Sequence, residues 1–181
     1  MRVKSILAIL IIVPAFLFSS SSFAGSYWGI GLGTASWTLV PVYSSYQLKD
    51  GPVLDLFFGY RNGPFGYEGE LTASSHDWAD DPNATHHAAN AIIAAMGYLP
   101  IAQNFDLYGK LGFDYWHTTV DYYGGTFDGD SGISLLYGVG MNIGLSRTMG
   151  MRIEYKQMNG LGDGIDKGDM SQTTLSLVFK L

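Results

Sequence analysis

Apolar residues recur at every second position along most of this chain, the spacing at which the side chains of a β-strand point to opposite faces. The alternation is clearest in the segment 134–145, where Leu135, Tyr137 and Val139 are separated by small or polar residues. Segments of this kind predict eight strands, at residues 27–37, 53–61, 65–74, 88–99, 107–117, 134–145, 151–156 and 174–181. The fourth segment is nearly apolar on both faces, so the pattern leaves its register open.

The connections between these segments are of two kinds. Short turns follow strands two, four and six at residues 62–64, 100–104 and 146–149, whereas longer polar loops follow strands one, three, five and seven. Most of the predicted strands are 9 to 12 residues long, close to the roughly 9 to 11 residues that a tilted strand needs to cross a bilayer. The pattern therefore predicts an all-β fold, an eight-stranded antiparallel up-and-down transmembrane β-barrel whose short turns face the periplasm.

The two faces of the predicted strands differ in chemistry. One face carries leucine, isoleucine, phenylalanine and tyrosine, and the other carries charged residues and glycines, among them Gly29, Gly31, Gly33, Gly138, Gly140 and Gly144. Small side chains suit the narrow interior of an eight-stranded barrel, so we expect the glycine face to point inward and the apolar face to meet lipid. Tyrosines near strand ends are expected at the level of the lipid headgroups, namely Tyr60, Tyr67, Tyr98, Tyr137 and Tyr155.

Charged residues of both signs occupy the face that we expect to point inward. They are Asp55, Glu68, Glu70, Lys110, Asp114, Arg152, Glu154 and Lys156, with Arg61 and Lys180 near the rim that carries the short turns. Because a charge in a narrow lumen is costly unless it is paired, we expect a network across the lumen. In this network Lys110 and Arg152 meet Glu68, Glu70 and Glu154. It would plug the barrel, and the alternative is a gated ion path.

The first 24 residues have the pattern of a secretory signal peptide. Arg2 and Lys4 precede an apolar stretch at residues 6–18, and small residues precede an expected cleavage after Ala24. The apolar stretch is shorter than the roughly 20 residues of a membrane-spanning helix. We therefore expect a signal peptide at 1–24 and one outer-membrane β-barrel domain at 25–181.

Composition narrows the possible functions. Beyond Ala24 the chain has eight basic and sixteen acidic residues, a balance that argues against a nucleic-acid partner. It has no cysteine, which excludes thiol chemistry and disulfides. Its 24 glycines and its charged fraction of 14%, against about a quarter in soluble proteins, favour an exported membrane barrel.

Four segments together resemble the outer membrane protein A/X-like family of eight-stranded barrels. They are the glycine-alternating strand at 27–33, the segment 58–71, the segment 107–112 and the segment 152–155. The resemblance extends over 25–181. It implies a charged and largely closed interior, surface loops that vary with lifestyle, a location among outer-membrane lipid and lipopolysaccharide, and insertion by the barrel-assembly machinery.

Two features depart from that family. Its larger members add a periplasmic domain that grips peptidoglycan, whereas this chain ends at Leu181 with its last strand, so we expect no cell-wall role. The family usually ends in a bulky aromatic residue that the assembly machinery reads. Here Leu181 is the last residue and Phe179 lies two positions before it, and because the apolar alternation continues to the end we still expect insertion.

Several polar groups could in principle bind a metal ion. Histidines and aspartates crowd the second long loop at His76, Asp77, Asp80, Asp81, His86 and His87. The stretch 163–169 is rich in aspartate and glycine, but it lacks the EF-hand order and includes Lys167. The sequon at 83–85 is a pattern common by chance. We expect solvated loop residues, with no metal, no cofactor and no glycan.

Catalysis would need a hydroxyl beside a base. His117 precedes Thr118 and Thr119, and Ser74 and Ser75 precede His76, but neither group matches the His-x-Ser-Asn pattern of lipid A deacylases. We therefore expect no catalytic residue.

Aromatic residues in the polar loops are candidates for contact with a partner. They are Tyr43 and Tyr46 in loop one, Trp78 in loop two, and Tyr122, Tyr123 and Phe127 in loop three. The sequence thus predicts a non-enzymatic envelope scaffold whose surface loops bind a host or surface ligand. The alternatives are a small gated channel and a lipid A-modifying enzyme.

Overall fold

The computed structural model describes residues 25–39, 48–79, 81, 83–161 and 168–181. These residues form eight strands: β1 (Gly25–Leu39), β2 (Gly51–Asn62), β3 (Phe65–Asp77), β4 (Ala84–Ala102), β5 (Phe105–Tyr122), β6 (Gly125–Gly144), β7 (Met149–Leu161) and β8 (Gly168–Lys180). Each strand pairs antiparallel with its neighbours in chain order, and β1 pairs with β8. The sheet is therefore a closed up-and-down barrel, and the predicted fold class is confirmed.

Some expectations fall outside the described residues. They concern the predicted signal peptide at 1–24, Tyr43, Tyr46, Asp80 and the greater part of the aspartate-rich stretch at 163–169. Within the described ranges, no helix has the length and apolarity needed to cross a membrane.

Short connections follow β2, β4 and β6, at residues 63–64, 103–104 and 145–148. We call this side of the barrel the turn end and the opposite side the loop end. The predicted alternation of faces holds around the ring. We call the exposed, outward side chains that surround the barrel the apolar belt; they are Ile30, Leu32, Leu54, Phe58, Tyr60, Phe65, Tyr67, Leu71, Ile93, Leu99, Leu107, Leu111, Phe113, Tyr115, Ile133, Leu135, Tyr137, Val139, Ile153, Tyr155, Leu175 and Leu177.

Most inward glycines are required by packing. A β-carbon at Gly29 would overlap the ring of Phe57, and one at Gly140 would overlap the ring of Tyr108. These aromatic rings fill the lumen beside backbone that has no side chain. Because the interior of an eight-stranded barrel is narrow, an aromatic ring on one strand fits only where the neighbouring strand carries glycine.

The expectation for Tyr98 is wrong. Tyr60, Tyr67, Tyr137 and Tyr155 face outward as predicted, but Tyr98 is buried inside the barrel. The next residue of β4, Leu99, faces outward instead. The Tyr98 hydroxyl lies in the lumen, 3.0 Å from that of Tyr27. The apolar alternation of β4 could not indicate this register, because both of its faces carry mostly alanine, isoleucine and methionine.

The long loop expected after strand five is also absent. β5 and β6 continue to Tyr122 and Gly125 and are joined only by Tyr123 and Gly124, with φ angles of 47° and 80°. Two consecutive residues in the left-handed region are typical of the tight turns that join antiparallel strands. Residues 126–131 are exposed on both faces, so they lack the apolar alternation that would have predicted a strand.

Candidate functional site

A network of ion pairs occupies the middle of the lumen. Lys110 on β5 is its centre, with the ammonium Nζ 2.7 Å from Glu68 Oε1, 2.9 Å from Glu70 Oε2 and 2.9 Å from Glu154 Oε1. Arg152 on β7 donates from Nη1 to Glu68 Oε2 at 2.6 Å. The structure thus brings together the five residues of the expected network, all of which are buried.

The network includes two residues in addition to the five that were predicted. The Lys156 ammonium lies 3.2 Å from Asp55 Oδ2 and 3.8 Å from Glu154 Oε1, and it also pairs with Glu70. Lys156 and Asp55 were recognised as inward residues but not as members of the network. Their strand faces indicated that they point inward, whereas their partners depend on which strands face each other across the lumen.

Aromatic side chains line the network on its turn side. The Arg152 guanidinium carbon lies 4.3 Å from the centre of the Phe57 ring and 5.1 Å from that of Tyr108. The Tyr27 hydroxyl donates to Glu68 Oε2 at 2.8 Å, and the Tyr108 hydroxyl donates to Glu154. The rings therefore exclude water from the cation while their hydroxyls satisfy carboxylate oxygens.

A separate ion pair closes the turn end of the lumen. Arg61 Nη1 donates to Asp106 Oδ2 at 2.8 Å, and the guanidinium carbon lies 3.9 Å from the centre of the Tyr98 ring. Both charged side chains are almost completely buried. Asp106 was not predicted to point inward, because the fifth strand was expected to begin one residue later. Extending the alternation backward from Tyr108 would have placed Asp106 inward.

An apolar cluster occupies part of the loop-end half of the lumen. Trp37, Trp116, Leu136, Met158 and Met170 belong to one buried cluster there. Asp114 lies at the boundary between this cluster and the ion pairs, where Asn90 Nδ2 donates to its Oδ2 at 2.7 Å. Asp114 differs from the other inward carboxylates because the side chains that donate to it, Asn90 and Ser134, are neutral.

The described histidines and aspartates of the second long loop do not converge. His76 and His86 point into the barrel, whereas His87 points outward and lies 3.2 Å from Asp121 Oδ2. Asp77 accepts from the hydroxyl of Thr85, and Asp81 accepts from the backbone of Asn83. Across the described ranges, no group of three or more histidine, aspartate or glutamate side chains could hold a metal ion.

One histidine does contact a hydroxyl. His76 Nε2 lies 3.1 Å from Ser74 Oγ, and its Nδ1 lies 3.1 Å from the carbonyl oxygen of Lys49. Both side chains are buried. The other candidate base, His117, faces outward on β5 and is exposed. The Ser74–His76 contact is therefore the one arrangement, among the described residues, in which a candidate hydroxyl from the sequence analysis lies beside its candidate base.

His76 and His86 lie beyond the apolar belt, and burial favours the neutral form of both side chains. Burial, together with the nearby His76 and His87, lowers the pKa of His86 to about 4. Burial also lowers the pKa of His76, although the hydrogen bond to Lys49 opposes this effect. A neutral His76 can donate from Nδ1 to the Lys49 carbonyl and accept the Ser74 proton at Nε2.

The sequence matches the family described as the outer membrane protein beta-barrel domain over residues 5–181. Outer membrane protein A of Yersinia pseudotuberculosis is 28% identical over 153 residues, which cover 72% of this chain and 41% of that protein. Outer membrane protein A of Salmonella typhi is 30% identical over 64% of this chain and 37% of that protein. The chain thus spans about two fifths of the length of these curated relatives.

Solved structures share the fold at low sequence identity. Neisserial surface protein A is 12% identical with a TM-score of 0.75, and the alignment covers 87% of this chain and 98% of that chain. Ail, the attachment invasion locus protein of Yersinia pestis, is 17% identical with a TM-score of 0.60 and coverage of 87% and 99%. Ail has also been solved in complex with the heparin analogue sucrose octasulfate.

The family match covers nearly the whole chain, and the closed ring of eight antiparallel strands has the architecture of the solved relatives. The chain therefore belongs to the outer membrane protein beta-barrel domain family and lies in the outer membrane of a Gram-negative bacterium.

Proposed function

We propose that this protein is a non-enzymatic scaffold of the outer membrane that meets its partner through the β5–β6 hairpin at the loop end. The ion-pair network supports the scaffold half of the proposal, because buried side chains of opposite charge occupy the middle of the lumen where an ion path would run. In this architecture the loop end faces the cell exterior. A closed lumen leaves the outer surface of the barrel and its hairpins to carry the function.

Exposed aromatic residues at the tip of the hairpin favour a role in attachment. Tyr123 and Phe127 are 72% and 58% exposed at its tip, and the Tyr122 and Tyr123 rings contact each other edge to face with centroids 4.6 Å apart. Exposed aromatic groups of this kind contribute much of the binding energy at protein interfaces. The tight turn holds them on a rigid support, which lowers the entropy lost on binding.

The negative charge of the loop end restricts the kind of partner that can bind there. Within the described ranges, the loop end carries Asp50, Asp77, Asp81, Asp121, Asp128, Asp130 and Asp169, against the single cation Lys49. Such a surface repels a polyanion of the kind found bound to Ail. The partner that suits this surface is a neutral or basic protein patch that accepts aromatic side chains.

Replacement of both Tyr123 and Phe127 by serine should lower adhesion of bacteria that display the protein to epithelial cells. We expect a loss of at least about tenfold in apparent affinity, since interface aromatic residues commonly contribute about 2 kcal/mol each. The matched control is Phe65→Ser, because Phe65 is 71% exposed at the turn end. Equal adhesion by the hairpin variant and the wild type would contradict the proposal, as would an equal loss in Phe65→Ser.

The Ser74–His76 contact favours a second candidate, hydrolysis of a lipid ester. The tautomer assigned above would let His76 activate Ser74. Burial opposes this candidate, because Ser74 and His76 lie inside the barrel, where an ester of the surrounding membrane does not reach.

Incubation of the refolded protein with lipopolysaccharide should therefore release no acyl chain that mass spectrometry can detect. The Ser74→Ala variant is the control, and it should behave as the wild type does. Release that disappears in Ser74→Ala would replace the scaffold with an enzyme.

A further inference from the structure

Three glycines on the lipid-facing surface are not explained by packing. Gly69, Gly97 and Gly109 point outward on β3, β4 and β5. A β-carbon at Gly69 would come no closer than 4.0 Å to any neighbouring atom, and at Gly97 and Gly109 it would meet nothing within 4 Å. Glycine in a strand interior is unfavourable because it adds no packing and loses more entropy on folding. The fold therefore does not require glycine at these three positions, and the missing side chains leave open space on the outer surface of the barrel.

The glycines line two hollows in the apolar belt. Gly69 lies in a hollow of about 470 Å³ that is also lined by Leu71, Ala91, Ile93, Phe113 and Tyr115. Gly97 and Gly109 lie in a second hollow of about 750 Å³, nearer the turn end. Both volumes fall within the range of about 300–1,000 Å³ that is usual for ligand clefts. Both face hydrocarbon, so the occupant is an apolar chain or another protein.

The two hollows differ in what borders them. Leu71, Ala91, Tyr115 and Ile133 pair in one row across β3 to β6. One step toward the loop end, the corresponding row places His117 beside Ser131, and both side chains are exposed. The second hollow is itself lined toward the turn end by a row of apolar side chains, Leu99, Leu107 and Met141.

Two exposed polar side chains thus lie one row beyond the first hollow, on its loop-end side. The imidazole of His117 and the hydroxyl of Ser131 can donate to oxygen atoms at that level. His87 lies one further step toward the loop end, but Asp121 engages it at 3.2 Å. An apolar groove that ends at two donors on its outer side matches a lipid whose acyl chain lies in the hydrocarbon and whose oxygen-rich headgroup lies outside it.

We propose that the hollow around Gly69 binds one acyl chain of a lipopolysaccharide molecule of the outer leaflet. His117 and Ser131 donate hydrogen bonds to the neutral amide and hydroxyl oxygens next to the acyl chains of the same molecule, and its phosphates lie away from the acidic loop end. The site lies on the β3–β6 wall of the barrel and uses neither the lumen nor the tip of the β5–β6 hairpin. It is therefore independent of the attachment role proposed above.

Native mass spectrometry of the refolded protein with purified deep-rough lipopolysaccharide tests the site. We expect one tightly retained lipopolysaccharide per wild-type barrel. Gly69→Leu should weaken retention at least about tenfold, because its side chain displaces several acyl methylene groups, each of which contributes about 0.8 kcal/mol. The matched control is Gly97→Leu, which fills the other hollow with the same side chain and should retain the lipid as the wild type does.

Two further measurements identify the headgroup contact. His117→Leu combined with Ser131→Ala should weaken retention of lipopolysaccharide, whereas phosphatidylglycerol should bind wild type and variant equally weakly. Each variant is first shown to fold by its heat-dependent gel mobility. Equal loss in Gly69→Leu and Gly97→Leu would overturn the site, and equal retention of both lipids by the wild type would overturn the choice of lipopolysaccharide. A dimer that Gly69→Leu abolishes would assign the hollow to a second copy and overturn it too.

Discussion

Lys110→Met should destabilise the folded barrel by about 3–5 kcal/mol, the usual cost of leaving buried charges without their partner. The Lys110 ammonium is the shared partner of Glu68, Glu70 and Glu154, all within 2.9 Å. Methionine nearly preserves the volume but leaves these carboxylates facing one another with fewer cations. Urea-dependent equilibrium unfolding in lipid vesicles, followed by tryptophan fluorescence, measures the change in the free energy of unfolding.

Two variants make this measurement specific. Lys49→Met removes an exposed cation at the loop end and should change stability by less than about 0.5 kcal/mol. Adding Glu154→Gln to Lys110→Met removes one of the uncompensated carboxylates and should restore part of the loss. A cost below about 1 kcal/mol for Lys110→Met would mean that water or protons reach the network, contrary to a closed lumen. Steady nanosiemens conductance of the wild type in planar bilayers would lead to the same conclusion.

Val139→Arg should cost about 2–4 kcal/mol of stability in lipid, the range for a basic residue near the middle of the membrane on the lipid face of a barrel. Val139 is 62% exposed and lies among the outward apolar residues of β6, between Tyr137 and Met141. Because no described carboxylate faces outward beside it, the guanidinium would meet hydrocarbon. Reduced folding into vesicles, measured by gel mobility, and a lower free energy of unfolding are the expected results.

The control for Val139→Arg lies further along the same strand. Asp128 is exposed beyond the belt, so Asp128→Arg should fold as the wild type does. Equal tolerance of arginine at both positions would count against a lipid-facing belt. The inward neighbour Gly140 is unsuitable as a permissive comparison. A β-carbon there would overlap the Tyr108 ring and lie 2.7 Å from the Ile153 carbonyl oxygen, so any side chain at Gly140 should be poorly tolerated.

The alternation of residue types was sufficient to predict that there are eight strands and, except in β4, which face of each strand points outward. One face of each strand meets lipid and the other meets the lumen, so the chemical contrast is repeated along every crossing. Leu135, Tyr137 and Val139 show it clearly, and the structure exposes all three. Tyr98 lies in a strand where the alternation of residue types does not distinguish the two faces. In β4 both faces are apolar, and the tyrosine faces inward because its ring covers Arg61.

Partners across the lumen were harder to predict than faces. Alternation indicates that Lys156 points inward, but its proximity to Asp55 and Glu70 depends on the shear and closure of the ring. Asp106 was missed because a strand end carries too few residues to show alternation. The hairpin tip was missed because residues exposed on both faces give no contrast. Sequence pattern thus records the surroundings of each strand better than the contacts between distant strands.

Charged side chains that neutralise each other in the lumen lie far apart in the chain, so the stage at which the lumen becomes neutral depends on the order in which the strands assemble. Asp55, Glu68 and Glu70 belong to β2 and β3, whereas two of the cations that neutralise them, Arg152 and Lys156, are on β7. A partly inserted sheet that lacks β7 would have to keep these carboxylates hydrated or protonated, since buried and unpaired they are too costly. The lumen can therefore lose its water only when β7 arrives, and this favours late, concerted closure over strand-by-strand insertion.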